Sequence, residues 1–143
     1  MNSTPQLRSE SPLRKPIKTN DETFEISLYN DCVPTKDDFL TASNRLSIAF
    51  PKMTKEFFIL LTEFVIKEGF TAKRLSDAVN HVIANFQYKE LNISDIIKFD
   101  RRIKLYTYYE VYNLMGQFPH PDFEKMEVNG NNYFVRKVDL LNV

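Results

Sequence analysis

The sequence predicts a mainly α fold, a compact bundle of four or five helices with a small C-terminal β-hairpin and a disordered N-terminal tail. Three observations support this prediction. Apolar residues recur at three- and four-residue steps through most of the chain between Pro34 and Met115. The dipeptide Asn129-Gly130 lies between two segments of alternating apolar residues, a pattern typical of a tight hairpin turn. The first 22 residues contain three prolines and few apolar side chains, as disordered segments do.

The same observations predict the domain organisation. We expect a disordered tail over residues 1–22, a helical bundle domain over 23–116, and a loop with the C-terminal hairpin, packed on the bundle, over 117–143. A chain of 143 residues with 43% hydrophobic residues is long enough to bury a core without disulfides or a structural metal. Within the helical domain, Phe24 to Tyr29 alternate between apolar and polar residues. That segment predicts either a short strand or an extended arm held against the core.

The first helix is bounded by clear signals at both ends. Thr35, followed three residues later by Asp38, has the pattern of a capping box. Apolar residues then follow at helical spacing as far as Phe50, and Pro51 cannot continue the helix. We therefore predict a helix from the residue after Thr35 to Phe50.

The second and third helices also begin after threonines. Thr54 precedes a segment so rich in phenylalanine, leucine and isoleucine that little polar face remains, which predicts a central helix with its phenylalanines buried. Gly69 supplies the stop at its C-terminal end. Thr71 begins the third helix, whose apolar residues follow the cleanest amphipathic pattern in the chain. Its polar face, which includes Arg74, is expected to face water.

A short fourth helix is predicted over about residues 95–101. Asn92 or Ser94 can cap it, and its apolar residues would close the bundle. At the other end of the chain, the turn of the C-terminal hairpin is expected between Asn129 and Asn132.

The segment that follows the fourth helix supports two interpretations. Ile103, Leu105 and Thr107 alternate as a strand does, whereas Thr107 and Glu110 form a capping box ahead of further helical spacing. We favour a brief extended link followed by a short helix over residues 108–115. The path of residues 102–108 matters because it decides how the neighbouring basic side chains are presented.

The composition argues against several kinds of chemistry. Three glycines lie too far apart for a phosphate-binding loop of the P-loop or dinucleotide type. His81, His120 and Cys32 do not have the spacing of zinc ligands. The members of a catalytic triad converge only in the fold, and nothing in the sequence nominates one. We therefore expect a protein that is not an enzyme, with no catalytic residues, no metal and no cofactor.

Charge and hydropathy bear on partners and compartment. The 19 basic and 19 acidic residues balance, so any contact with nucleic acid must come from a local patch. No uncharged apolar run approaches the length of a membrane span. A single cysteine and the absence of an apolar leader predict a cytoplasmic protein.

One local pattern is typical of single-stranded nucleic-acid binding. Basic and aromatic side chains interleave after the fourth helix, where cations can pair with phosphates while rings stack on bases. Two further cations lie on the second hairpin strand, on opposite faces, so at most one of them reaches a given phosphate. The candidate residues are Lys98, Arg101, Arg102, Lys104, Tyr106, Tyr108, Arg136 and Lys137. The alternative is a solvated basic turn beside core aromatics, since Phe99 and Tyr109 fit core positions.

The order of the central segments resembles a known domain. A helix ending in the letters AFP (residues 49–51) is followed by two longer helices, the second reading LSDAVNHVIANF (75–86), and then by NISDI (92–96) at the start of a short helix. This arrangement, over about residues 40–100, resembles the small helical domain of phage-encoded loaders and inhibitors of replicative helicases. The resemblance implies a non-enzymatic adaptor that contacts a hexameric helicase.

A second resemblance concerns the C-terminal part of the chain. The helix over residues 108–115 with the capping Glu110, the turn at Asn129 and Gly130, and the closing Asp139 and Leu140 resemble excisionase-like and MerR-like winged-helix modules. In those modules a recognition helix reads the major groove. Residues 116–122 are too few and too rich in proline to form one, so a DNA contact of this type would come from the hairpin.

The resemblance of residues 40–100 implies a non-catalytic accessory protein of DNA replication in a phage or mobile element. It would be a helicase loader-like or inhibitor-like adaptor acting by protein binding, with a replicative helicase as the expected partner and a secondary DNA contact at Lys98 to Lys104. The alternative is a winged-helix-like DNA-binding or regulatory protein that uses the C-terminal hairpin. No membrane partner is expected, and the sequence carries no indication of the oligomeric state.

Overall fold

A computed structural model describes residues 15–86 and 90–141, which form two compact units. The helical unit comprises Tyr29–Asp100. The β unit is discontinuous and combines the chain that ends at Leu28 with the chain that begins at Arg101. Of the described residues, 47% are helical and 19% lie in strands, in six helices and two small sheets. The prediction of a mainly α bundle with one hairpin is therefore wrong.

The elements of each unit have the following bounds. In the helical unit they are α1 (Lys36–Ala49), α2 (Lys55–Lys67), α3 (Ala72–Asn85) and α4 (Ile93–Ile97). In the β unit they are β1 (Ile17–Lys18), β2 (Phe24–Ser27), β3 (Arg102–Leu105), α5 (Tyr108–Met115), β4 (Phe123–Val128), β5 (Asn131–Arg136) and α6 (Lys137–Leu140). The predicted tail includes β1, while its residues 1–14 lie outside the described part of the chain.

Side-chain caps set the starts of the helices, as the sequence predicts. Thr35 and Asp38 form the capping box of α1, in which each side chain bonds the backbone N–H of the other residue. The hydroxyls of Thr54 and Thr71 accept the third backbone N–H of α2 and α3. Each cap supplies an acceptor to a backbone group that has none within its own helix.

The core of the helical unit is centred on α3 rather than on α2. α3 packs against α1 and α4, whereas α2 packs against α4. The buried apolar residues of this core are Ala42, Leu46, Phe50, Leu61, Val65, Phe70, Leu75, Ala78, Val79, Val82, Leu91 and Ile96. The prediction that α2 is central is wrong, because this helix also exposes apolar residues: Ile59, Leu60, Phe64 and Ile66.

Arg74 of α3 was expected to face water and is instead 9% exposed. Its Nε donates to the carbonyl of Phe99 at 2.7 Å, and its Nη2 donates to the carbonyl of Ile97 at 3.0 Å. The guanidinium carbon lies 3.8 Å from the centre of the Phe70 ring, and Nε lies 3.8 Å from Oδ1 of Asp100. Arg74 thus links α3 to the chain that leaves α4, with its charge compensated inside the unit.

The segment before α1 anchors the N-terminus of α3. The Tyr29 hydroxyl donates to Oδ2 of Asp77 at 2.8 Å. The backbone N–H of Lys73 donates to Oδ2 of Asp31 at 2.7 Å, and the N–H of Ala72 donates to the carbonyl of Cys32 at 2.8 Å. The last two bonds satisfy backbone groups at the start of α3 that no helical carbonyl can reach.

The larger sheet of the β unit pairs segments that are far apart in the sequence. Its order is β1-β2-β3, and all pairs are antiparallel. Ile26 of β2 lies opposite Ile103 of β3, and Ser27 lies opposite Arg102. The alternating segment over 24–29 therefore contains a strand, β2. Residues 102–105 form a strand and Thr107 caps the helix that follows, so the alternation and the capping box of this segment are both present.

The predicted hairpin is confirmed as β4 and β5. Asn129 and Gly130 form its turn with positive φ angles of 53° and 79°, a conformation that glycine and asparagine adopt most readily. A single antiparallel bridge, between Tyr106 and Phe134, joins the end of β3 to β5. The hairpin contributes to the core of the β unit, not to the helical core. The buried residues of the β core are Ile26, Ile103, Leu105, Val128 and Val135.

Candidate functional site

The candidate nucleic-acid-binding residues fall in both units. Lys98 is the C-cap residue of α4 in the helical unit, where its Nζ lies 3.7 Å from Oδ1 of Asp95. The other seven candidates belong to the β unit. The segment after α4 that the sequence predicts as one basic patch is therefore divided between the units, and the part that the structure brings together lies on the β unit.

Four of the candidates share one face of the β unit. Along β3, Ile103 and Leu105 are buried whereas Arg102 and Lys104 point to the opposite face. Tyr106 continues that face, and its bridge to Phe134 extends the face onto β5, where Arg136 follows two residues later. We call Arg102, Lys104, Tyr106, Phe134 and Arg136 the mixed face, because it carries both cations and aromatic rings.

Lys104 is paired on this face. Its Nζ lies 3.0 Å from Oε2 of Glu110 and 4.6 Å from the centre of the Tyr106 ring. Glu110 is also the capping-box residue of α5, since the backbone N–H of Thr107 donates to its Oε1 at 3.1 Å. Burial raises the pKa of Glu110, but the hydrogen bond from Thr107 and the ammonium of Lys104 outweigh burial and place the pKa below its usual value. The carboxylate therefore stays ionised and attaches α5 to β3.

Arg136 is paired as well. Its Nη2 and Nε donate to the two carboxylate oxygens of Asp139 at 2.8 and 3.0 Å. These hydrogen bonds raise the pKa of the guanidinium above its usual value, and the electrostatic interaction with Tyr106 raises it further. Lys137 was predicted on the same strand but begins α6, and its backbone N–H donates to the carbonyl of Asp122. Of the two cations predicted on one hairpin strand, Arg136 is thus the last residue of that strand and Lys137 is the first residue of α6.

The remaining candidates differ in exposure. Arg101 precedes β3 and Arg102 begins it, and both are exposed. Tyr108 begins α5, is 73% exposed, and has its ring centre 6.5 Å from that of Phe134. Tyr106 is half-buried, with its ring edge-on to Phe123 at 5.1 Å. The mixed face therefore combines two neutralised cations, Lys104 and Arg136, with two aromatic rings that each contact a ring outside it.

A second surface, which sequence reasoning missed, lies on α5. This helix has no buried residue, and its half-buried side is limited to Glu110, Val111 and Leu114. Its outward side carries four residues that are between 47% and 73% exposed, and Phe118 in the following loop is 96% exposed. We call this the aromatic surface; its residues are Tyr108, Tyr109, Tyr112, Met115 and Phe118.

Tyr109 was expected to fit a core position, and that expectation is wrong. In a helix each residue turns by about 100°, so Tyr108, Tyr109 and Tyr112 occupy one arc and Val111 and Leu114 the opposite arc. When the tyrosines are counted as apolar, both arcs of the helix read as apolar, and the segment then resembles a core helix. The positions of the tyrosines opposite Val111 and Leu114 were the signal that could have found the surface.

Other possible sites are limited within the described ranges. No group of three or more histidine, cysteine, aspartate or glutamate residues there could hold a metal ion. Over residues 15–86 and 90–141, no helix is long and apolar enough to cross a membrane. The helical unit contains an open groove of about 650 Å³ between α1 and α2, lined by side chains such as Ser47, Met53, Phe58 and Thr62.

Comparison with protein-family models, with curated proteins and with solved structures finds no match for this chain. The function is therefore inferred from the residues and the geometry of the mixed face and the aromatic surface.

Proposed function

We propose that the chain is a non-catalytic, cytoplasmic adaptor that acts by binding another protein through the aromatic surface of α5. The observation that carries the proposal is the exposure of three tyrosines on one side of an eight-residue helix: Tyr108, Tyr109 and Tyr112 are 69–73% exposed. The resemblance of residues 40–100 to the helical domain of phage helicase loaders and inhibitors points to a replicative helicase as the partner, and to a role in DNA replication of a phage or mobile element.

Tyrosine is well suited to such a surface. Its ring buries a large apolar area with little loss of side-chain entropy, and its hydroxyl can bond a partner, which is why tyrosine is enriched among the residues that dominate binding energy. Met115 and Phe118 extend the exposed apolar area beyond the tyrosines. Glu110 holds the first turn of the helix against Lys104, so the rings are presented on an anchored element.

Substitution Tyr109→Ala/Tyr112→Ala should weaken binding to a purified hexameric replicative helicase by about 100-fold or more, since two interface aromatics of this kind each contribute about 2 kcal/mol. Isothermal titration calorimetry with the full chain measures this change. Both side chains are exposed, so the fold is expected to be retained.

The matched control is Ile48→Ala, which removes an 80% exposed apolar side chain from α1 and should leave the affinity unchanged. Equal affinity of the wild-type and double-variant chains would rule out the aromatic surface as the site. Absence of binding to the helicase would rule out that partner.

A second candidate function is contact with single-stranded nucleic acid through the mixed face. The observation that favours it is the alignment of Arg102, Lys104, Tyr106 and Arg136 on one sheet face, with the Lys104 ammonium 4.6 Å from the Tyr106 ring centre. Bases can stack on exposed rings while cations contact the phosphates. The pairing of Lys104 with Glu110 and of Arg136 with Asp139 opposes this function, because each carboxylate repels a phosphate.

If the mixed face binds DNA, Arg101→Ala/Arg102→Ala should weaken binding of a labelled oligonucleotide by about tenfold at low salt, and binding should fall steeply between about 50 and 200 mM salt. Fluorescence anisotropy with single- and double-stranded DNA measures both effects. The control Lys52→Ala/Lys55→Ala removes the same charge from the helical unit. Equal losses in the two variants would mean that only net charge matters, and no binding at low salt would exclude this function.

A further inference from the structure

The outer edge of β4 carries backbone groups that the hairpin does not use. Within the described ranges β4 pairs with β5 only, so it forms one edge of its two-stranded sheet. Lys125 lies opposite Phe134, whose N–H and carbonyl bond Tyr106 on the side away from β4. Opposed residues of an antiparallel ladder exchange both of their hydrogen bonds or neither, in alternation. Lys125 therefore points its own N–H and carbonyl away from β5, and Glu127, two residues later, does the same.

These outward groups lie on an accessible edge. No backbone hydrogen bond joins Lys125 or Glu127 to another described segment outside the hairpin, and both side chains are exposed. An unpaired strand edge is a template for a further strand. β4 is six residues long, whereas the edge strand β1 of the larger sheet has two, so β4 offers the longer template.

We propose that β4 pairs edge to edge with β4 of a second copy of this chain, antiparallel about a two-fold axis between the two Met126 residues. Opposed residues point to the same face of a sheet, so such an axis must pass between a residue and its own copy. In this register Lys125 of each copy lies opposite Glu127 of the other, and each of these pairs exchanges two backbone hydrogen bonds. The two hairpins then form one four-stranded sheet.

The charges of β4 select this register. The strand has three charged residues, Glu124, Lys125 and Glu127. With the axis at Met126, the lysine of each copy meets an acid, and Glu124 lies opposite the uncharged Val128. An axis at any of the three charged residues would instead oppose that residue to its own copy. Directly opposed like charges destabilise a strand pair, whereas opposite charges stabilise it.

The registers at the two ends of β4 are also poorer. An axis at Phe123 would oppose Glu124 to Asp122, and an axis at Val128 would leave every charge of β4 without an opposite charge. With the axis at Met126, the two half-buried methionines form a pair without mutual hydrogen bonds, the kind in which side chains approach most closely.

The same complementarity selects a second copy over another occupant. An unrelated strand would need an acid and a base at two matching positions in reverse order, and antiparallel β4 has that order already. One short strand per copy makes a small interface, so we expect a dissociation constant in the micromolar range. The pairing uses no residue of the aromatic surface, so the inference is independent of the proposed function.

Amide hydrogen exchange of the full chain, measured by NMR at low and high protein concentration, tests the pairing. We expect the amides of Lys125 and Glu127 to exchange more slowly as the concentration rises, because each then donates to the second copy. The amide of Met126 points to β5 and should be protected at both concentrations. Sedimentation velocity over the same range should show a shift from monomer to dimer and gives the dissociation constant.

Three variants test the register. Lys125→Glu opposes acid to acid in both pairs and should raise the dissociation constant about tenfold or more. Lys125→Glu/Glu127→Lys exchanges the charges and should restore the dimer. Lys52→Glu makes the same charge change at an exposed position of the helical unit and should leave the dissociation constant unchanged. Circular dichroism checks that each variant keeps the fold.

Four results overturn the proposal. The first is a wild-type chain that stays monomeric at every concentration. The second is a dimer whose formation leaves the exchange of the Lys125 and Glu127 amides unchanged, since association would then use another surface. The third is an equal effect of Lys125→Glu and Lys52→Glu, and the fourth is a charge exchange that fails to restore the dimer.

Discussion

Substitution of Arg74 by alanine should lower the free energy of unfolding by about 3–5 kcal/mol, the range observed when one partner of a buried ion pair is removed. The side chains of Arg74 and Asp100 are 10% and 5% exposed, so the Asp100 carboxylate would stay buried after losing the guanidinium 3.8 Å away. The carbonyls of Ile97 and Phe99 would each lose the hydrogen bond that Arg74 donates.

The stacking of Arg74 on an aromatic ring adds to this effect. The guanidinium carbon lies 3.8 Å from the centre of the Phe70 ring, and Phe70 itself is 1% exposed. A desolvated cation over an aromatic face contributes about 2 kcal/mol, and truncation to alanine would leave a cavity beside the ring. The expected loss of unfolding free energy therefore has three sources in one side chain: its charge, its hydrogen bonds and its packing.

Urea unfolding followed by circular dichroism at 222 nm measures the change. Arg74→Lys keeps the positive charge but not the planar fork that reaches two carbonyls, so its stability should fall between those of the wild-type and alanine chains. Lys73→Ala removes the exposed cation next to it and should change stability by less than about 0.5 kcal/mol. A loss below about 1 kcal/mol for Arg74→Ala would show that the buried contacts do not stabilise the unit.

Deletion of residues 1–28 should unfold the β unit. It removes β1 and β2, so β3 loses its whole ladder of partners from Arg102 to Leu105. It also removes Ile26, which is 1% exposed and packs with Ile103 and Val135 in the core of that unit. A hairpin and a single strand do not form a stable sheet without further apolar cover, so the remaining strands should lose their order.

Deletion of residues 1–14 is the matched control, because it leaves every described residue in place. Amide hydrogen exchange measured by NMR distinguishes the two chains. In the longer deletion, the amides of β3, β4 and β5 should exchange at rates close to those of an unfolded chain, while those of α1 and α3 stay protected. Protection of the β5 amides in the longer deletion would contradict the assignment of β2 to this core.

The sequence predicted elements that are defined by their own residues. The capping boxes at Thr35 and Thr107 and the threonine caps of α2 and α3 are present as expected. The Asn129-Gly130 turn also forms. In each case the signal and the structure lie within a few residues of one another, so local physical chemistry is sufficient.

The overall fold class could not be predicted in the same way. In the sequence β2 and β3 look like isolated extended segments. No local pattern indicates that Ile26 pairs with Ile103, because the helical unit separates the two strands along the chain. The spacing of apolar residues also shows that a helix has an apolar side, but it does not show which neighbouring element covers that side. For this reason α2 was expected to be central, and Arg74, on the polar side of α3, was expected to face water.

The candidate site was predicted in part. Lys104, Tyr106 and Arg136 do share one face, but the carboxylates of Glu110 and Asp139 that pair with the two cations approach from α5 and α6. Counting charges along the segment from Lys98 to Lys104 could not reveal this neutralisation. The aromatic surface was missed because tyrosine suits both a core and an interface, and only exposure distinguishes the two.

The pairing of Ser27 with Arg102 also determines the order of events during synthesis. These partners are 75 positions apart along the chain. At ribosomal elongation rates, about 4–15 s therefore pass between the synthesis of β2 and that of β3. During that interval β1 can protect one edge of β2, while the other edge and the Ile26 side chain stay available to chaperones or to neighbouring nascent chains. The helical unit, whose chain is continuous, can fold within the same interval. The first segment of the β unit to be synthesised is thus among the last to be completed.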